Sequence, residues 1–233
     1  MTRLFPMGLI AILLISSGAH AQNFETGLEA YNAGNHVAAF EEWQLLAVMG
    51  EKRAQHRIAC MHFDGEAGLR NYAEAVRFFN LAAGQGYAKS QYRLGTMYEQ
   101  GEGVPESNEQ AARWYFLAAE QGLADAQANL AKLFQLGKGV PQDAAEAKRW
   151  YFLAAKQGHV YSQGQLALIY MDGAVSRPDF TSALMWYEII SANGSGNVSK
   201  RREWLLKVMS KEQVVDAGRR ANKCVRSNYR HCD

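Results

Sequence analysis

The stretch AKSQYRLGTMYEQGEGVPESNEQAARWYFLAAEQGL, residues 88–123, is followed without a gap by ADAQANLAKLFQLGKGVPQDAAEAKRWYFLAAKQGH, residues 124–159. The two 36-residue segments agree at roughly half their positions, including the whole string Arg-Trp-Tyr-Phe-Leu-Ala-Ala. Self-similarity at this period marks a stacked repeat protein, in which each unit buries its apolar face against its neighbours. Within one copy, Gln91, Leu94, Gly95 and Tyr98 fall at steps of three and four and give a helix one apolar or small face. Gly101-Glu102-Gly103-Val104-Pro105 stops that helix, because glycine takes the left-handed backbone and proline cannot continue the ladder. Ser107, with Gln110 three residues on, opens a second helix carrying Ala111, Trp114, Tyr115 and Ala118 on one face. Gly122 ends it. Each copy therefore reads as a helical hairpin.

The phase extends outward in both directions. Trp114-Tyr115 becomes Phe78-Phe79 one period earlier, and Trp150-Tyr151 and Trp186-Tyr187 later. The hairpin glycine returns as Gly65, Gly101, Gly137 and Gly173, and the closing glycine as Gly50, Gly86, Gly122, Gly158 and Gly194. Asn35, Asn71, Ser107, Asp143 and Asp179 hold the capping position, all residue types that accept from a helix N-terminus. Gln55, Gln91, Gln127 and Gln163 also recur in phase, which predicts a repeated hydrogen bond inside the stack. The first unit, Phe24–Gly50, lacks the Gly-x-Gly-Val-Pro loop and passes from Gly34 straight to Asn35, so its hairpin is shorter. The units at 52–86 and 161–194 depart from the pattern in the loop, with Ala67-Gly68-Leu69 and Val175-Ser176-Arg177 there.

The pattern Ala…Leu-Gly-x-x-Tyr-x-x-Gly-x-Gly-Val-Pro…Ala-x-x-Trp-Tyr-x-x-Ala-Ala-x-x-Gly resembles the Sel1-like repeat, a relative of the tetratricopeptide repeat, over roughly Phe24 to Gly194. The resemblance implies an all-α fold: a right-handed α-solenoid of about five antiparallel helix hairpins. It also implies a protein-binding adaptor, of a kind often met in exported bacterial proteins.

Residues 1–21, MTRLFPMGLIAILLISSGAHA, have a basic start at Arg3, an apolar run Leu9–Ile15 and the small-x-small pattern Ala19-His20-Ala21. They read as a secretory leader cleaved near Ala21, which predicts a periplasmic or secreted protein. No later stretch is apolar for long enough to predict a transmembrane helix. The expected organisation is a leader at 1–21, the repeat solenoid at 22–197, and capping helices with a cysteine-containing tail at 198–233. In that tail Trp204, Leu205, Val208 and Met209 suggest a helix closing the open end. Ser210 and Gln213 have the spacing of a capping box for a last helix bearing Val214, Val215, Ala217 and Ala221.

Cys224 and Cys232 are the natural disulfide pair of an exported chain, and Cys60 is left over. A continuous helix would hold the pair about 12 Å apart, so the helix must end near Cys224 and Ser227-Asn228-Tyr229 must turn back. Charge is unevenly spread: ten Lys or Arg against four acids from Val198 onward, fourteen against nineteen over 22–197. The total is too nearly balanced for a nucleic-acid partner, and the basic end suits an anionic partner or a membrane surface.

The chain contains no His-Glu-x-x-His, Cys-x-x-Cys, Gly-x-Ser-x-Gly or phosphate loop, and the mature histidines lack metal spacing. No catalytic residue, metal site or cofactor is predicted. A binding surface is. First helices of stacked hairpins line the inner side of the curve, and their outward positions can be followed by register. Lys89, Tyr92, Arg93 and Thr96 correspond to Arg53, His56, Arg57 and Cys60, and to Asp125, Ala128, Asn129 and Lys132. The first two sets are basic and aromatic, suited to carboxylates and to flat apolar contact. Arg53, His56, Arg57, Lys89, Tyr92, Arg93, Asn129 and Lys132 are therefore the candidate contact residues for a protein or peptide partner, of acidic character. Two other readings stay open: a cell-wall-linked enzyme of the penicillin-binding or β-lactamase-like kind linked to some Sel1-like proteins, and a structural protein that self-associates through its opposed charges. Against the enzyme, the chain has no Ser-x-x-Lys and no cysteine pair in each repeat.

Overall fold

The computed structural model describes residues 16–68, 70–194 and 199–232, with side chains from Phe24 onward. The apolar run of the expected leader and the expected boundary at 197–198 lie outside the described residues. Helix α1 (Ser16–Asn32) takes in the expected cleavage point.

Among the described residues the chain is all helix, with no strand. It divides into two compact units. The first comprises residues to Leu94 with Glu102–Val104, and the second comprises Gly95–Gly101 and the chain from Pro105.

In the first unit α1, α2 (His36–Val48), α3 (Lys52–Asp64) and α4 (Tyr72–Gly84) pack each on the next, and α5 (Ala88–Gln100) begins. In the second, α6 (Asn108–Glu120), α7 (Ala124–Leu136), α8 (Ala144–Ala155), α9 (Val160–Asp172) and α10 (Phe180–Ala192) follow the same rule. α11 (Ser199–Val208) and α12 (Lys211–Arg226) both rest on α10. This is an all-α repeat fold of helix hairpins.

The periodic residues explain why helices start and stop where they do. Asn35 Oδ1 accepts from the Ala38 N–H at 3.1 Å, and Asn71 Oδ1 accepts from Glu74 at 3.1 Å. Ser107 Oγ accepts from Gln110 at 3.3 Å, Asp143 Oδ1 from Glu146 at 3.0 Å, and Asp179 Oδ1 from Ser182 at 2.9 Å. All five expected caps satisfy a backbone donor that the helix leaves unpaired, each worth about 1 kcal/mol. Past its last turn α7 ends on Gly137 at φ 66°, a left-handed conformation that only glycine takes cheaply. Ala67 stands where later loops have Gly103 and Gly139, and adopts the same handedness at φ 51° without glycine's freedom.

The glutamine series forms the predicted bond four times. Gln55 Nε2 donates to the Ala47 carbonyl at 3.1 Å, and Gln91 to Ala83 at 3.2 Å. Gln127 donates to Ala119 at 3.1 Å, and Gln163 to Ala155 at 3.3 Å. Each acceptor is a last-turn carbonyl of the preceding second helix that also accepts from the N–H of the closing glycine, so the glutamine bond adds a second donor and ties one hairpin to the next. Gln85 and Gln157 extend the chain by donating to Gln55 Oε1 and Gln127 Oε1 at 2.8 and 2.9 Å.

Aromatic rings fill the space between helices. Trp43, Phe79, Tyr115, Tyr151 and Tyr187 occupy equivalent, fully buried places. Small residues face them. A β-carbon on Gly95 would come within 2.5 Å of the Tyr115 ring, so the close approach requires glycine there. The hydroxyls of Tyr115 and Tyr151 reach out to Glu99 and Gln135 at 2.7 and 2.9 Å.

The tail both meets and departs from expectation. Ser210 and Gln213 form the reciprocal capping box of α12. Cys224 and Cys232 are joined by a disulfide with Cα atoms 4.4 Å apart, and Asn228 and Tyr229 make the reversal with φ of 51° and 63°. Ala217 and Ala221 are buried as expected. Trp204, Val208 and Val215 are exposed, however, while Leu205 and Met209 are buried. α12 rather than α11 supplies the main layer against α10, burying Ala217, Ala221 and Cys224.

Candidate basic and aromatic binding face

In the first unit, α3 presents Arg53 and Arg57 one turn apart. The Arg53 guanidinium lies 4.0 Å above the Phe24 ring, and its Nε donates to Glu51 Oε1 at 3.1 Å, with Glu25 at 3.8 Å. Glu51 also accepts from the Ala54 N–H, so it caps α3 while orienting Arg53. Arg57 lies 5.6 Å from the Tyr31 ring centre and 5.5 Å from that of Trp43. Rings beneath a guanidinium fix its plane and attract its charge, leaving its edge to engage a carboxylate. Tyr31 is itself held by donating its hydroxyl to Glu66 Oε1 at 2.7 Å. That hydrogen bond, followed by burial, pushes its pKa up to about 12.

The first turns of α5 complete the face. Lys89 is exposed, and Tyr92 and Arg93 are half-buried, with Arg93 5.6 Å from the Phe63 ring. His56 joins the two helices: its Nδ1 is 2.9 Å from Ser90 Oγ, and its ring packs on Phe79 and Tyr87. Burial first, then the charges of Arg57, Arg93 and Lys89, lower its pKa to about 3. His56 is therefore neutral and turned inward. It positions the face instead of presenting a charge to a partner. Cys60 Sγ lies 3.6 Å from His56 Nε2, and burial raises the thiol to about 11, so the free cysteine is a poor nucleophile.

In the second unit the corresponding positions differ. Lys132 Nζ donates to Glu99 Oε1 at 3.1 Å, Asp125 lies 3.4 Å from His159, and Asn129 is half-buried. Ala128, read from register as outward-facing, is buried. The candidate residues thus separate into a set on α3 and α5 whose arginines lie against aromatic rings, Arg53 being paired with Glu51 and Glu25 as well, and a set on α7 engaged with Glu99 and His159. The rings of Phe24 and Tyr31 were not foreseen at the site. They belong to the first hairpin, whose shortened loop takes its first helix out of the 36-residue register.

Helix hairpins joined by a repeated glutamine bond and displaying variable outward positions define a helical repeat scaffold. The model of the Sel1 repeat matches residues 52–87, 88–123, 124–159 and 160–195, and the chain belongs to the Sel1 repeat family. The hairpin α1–α2 lies before the matched residues. The chain is similar to the crystal structure of a Sel1 repeat protein from Oxalobacter formigenes, at 25% identity with a TM-score of 0.69, covering 84% of this chain and 85% of that one. It is also similar to c5321, a protective antigen of uropathogenic Escherichia coli strains displaying an SLR fold. That match has 25% identity and a TM-score of 0.54, covering 92% of this chain and 56% of that one. No curated protein matches the chain in sequence.

Proposed function

We propose that the protein is an exported, periplasmic or secreted binding scaffold that captures an acidic segment of a protein partner on the outward side of α3 and the first turns of α5. The observation that carries this reading is the convergence of Arg57, Lys89 and Arg93 around one half-buried, neutral histidine, with Arg53 one turn before Arg57 and an aromatic ring against each of the three arginines. Preoriented guanidinium groups lose little freedom on meeting a carboxylate, and Tyr92 adds flat contact area. The disulfide fits an oxidising compartment. No helix among the described residues is long and apolar enough to cross a membrane.

The test is quantitative affinity capture from the cell envelope with the wild-type chain, Lys89→Glu and the pair Arg57→Glu/Arg93→Glu. A genuine partner is enriched by the wild type and binds at least tenfold more weakly to the double variant, as expected for losing two charge-assisted contacts of about 1.5–3 kcal/mol each. Lys89→Glu, at an exposed position, weakens binding without touching the ring stacking, so lost capture cannot be ascribed to unfolding. Partner recovery equal across all three chains rejects the site.

A further inference from the structure

We propose that α11 forms a peripheral docking patch for an anionic lipid surface. Among its described side chains this ten-residue helix buries Leu205 alone, and it is held on α10 by the Arg202–Glu188 ion pair at 2.9 Å and by Trp204 edge-on to Phe180 at 5.5 Å. So short a helix is marginal in water on its own, and here it keeps most of its surface in solvent. What it exposes is not a simple solvated face. Trp204 is 46% exposed and Val208, one turn on, 50%. Lys200, Arg201 and Lys207 lie three or four residues from Trp204, so they flank its ring on the same side; Glu203 is the one acid on the helix.

Tryptophan and aliphatic groups interleaved with lysine and arginine match the chemistry of a headgroup boundary. The indole seats at the interface, the aliphatic groups enter the acyl margin, and the cations meet lipid phosphates. The charge distribution of the chain favours the same end. The segment from Val198, α11 included, carries ten Lys or Arg against four acids, whereas 22–197 is net acidic, so a negative surface attracts this segment over the rest of the chain. The patch lies on helices other than α3 and α5, and the inference is independent of the partner site proposed above.

The experiment is vesicle co-sedimentation of the processed, leader-free chain with phosphatidylglycerol/phosphatidylcholine and with pure phosphatidylcholine vesicles, followed by tryptophan fluorescence. Trp43, Trp150 and Trp186 are fully buried and Trp114 is half-buried, so a blue shift on lipid addition reports Trp204. Binding is expected to the anionic vesicles alone, and to weaken with salt. Lys200→Gln/Arg201→Gln/Lys207→Gln should lower the partition coefficient about fivefold per charge, roughly 100-fold in all. Trp204→Ser should abolish the blue shift and weaken binding at least about tenfold. The proposal is overturned by absent or equal binding to the two vesicle types, or by binding that survives the triple substitution. It is equally overturned by Trp204-dependent dimerisation without lipid, which would assign the patch to a second copy, or by binding to polyglutamate but not vesicles, which would assign it to an acidic protein.

Discussion

Helices α3 and α7 occupy the same place in their repeats and share an inward side almost residue for residue. Both direct a glutamine, Gln55 or Gln127, to the last turn of the preceding helix, and both set alanine, Ala59 or Ala131, in the buried row. Their outward sides have nothing in common. α3 carries two arginines stacked on rings, the first also paired with Glu51, and a half-buried neutral histidine, while α7 carries a lysine paired with Glu99 and an aspartate beside His159. The inward side answers to its neighbours in the stack, which repeat, and so must itself repeat. The outward side has no such constraint, and that is where binding chemistry can be written.

The largest effect expected from this pairing lies in the shared core. Phe79→Ala and Tyr151→Ala, at equivalent buried positions, should each cost about 3–5 kcal/mol in chemical denaturation. A cost below about 1 kcal/mol for either would show that the two repeats are not equivalent inside.

The next test separates the two outward sides by pH. The folded pKa of His56 lies near 3, below its ordinary value of 6.5, so the folded state favours the neutral ring. Its contribution is whole above about pH 6.5 and is lost as pH falls toward 3, with a slope of at most about 1.4 kcal/mol per pH unit. His56→Gln should remove that component from the pH dependence of stability, and α7, with Ala128 there, has no counterpart. An unchanged acid limb in the variant would mean that His56 is open to solvent.

Gln55→Leu and Gln127→Leu should each cost about 0.5–1.5 kcal/mol, and by similar amounts, because each removes one hydrogen bond from a carbonyl that keeps its Gly50 or Gly122 donor. A cost confined to one of them would break the comparison at its best-matched residue. The smallest effect is expected from Lys132→Ala. Its half-exposed pair with Glu99 should contribute under about 1 kcal/mol, an effect that fades with added salt.

Much of this arrangement was legible beforehand because it repeats. Five caps, four glutamine bonds and the buried ring series could be read because one phase links residues that do one job. The turn after Cys224 was legible for another reason: a disulfide across eight residues is incompatible with continuous helix. Register failed where packing is not periodic. Ala128 counts as outward on the α3 pattern yet is buried. His56 counts as a surface cation, yet Ser90, Phe79 and Tyr87 enclose it. Trp204 reads as a plug for the stack but stands half in solvent, because α12 takes the place against α10. The rings under Arg53 and Arg57 come from a hairpin lacking the standard loop, so no addition of 36 leads to them.

The amino-acid order alone determined the class of fold, the ends of most helices and the cysteine pairing, since these depend on local backbone chemistry and on a spacing that returns. Tertiary structure decided which arginines rest on aromatic rings, which histidine loses its charge, and which terminal helix covers the last repeat. Those outcomes turn on desolvation and on contacts between side chains far apart in sequence, and neither is a property of any single repeat.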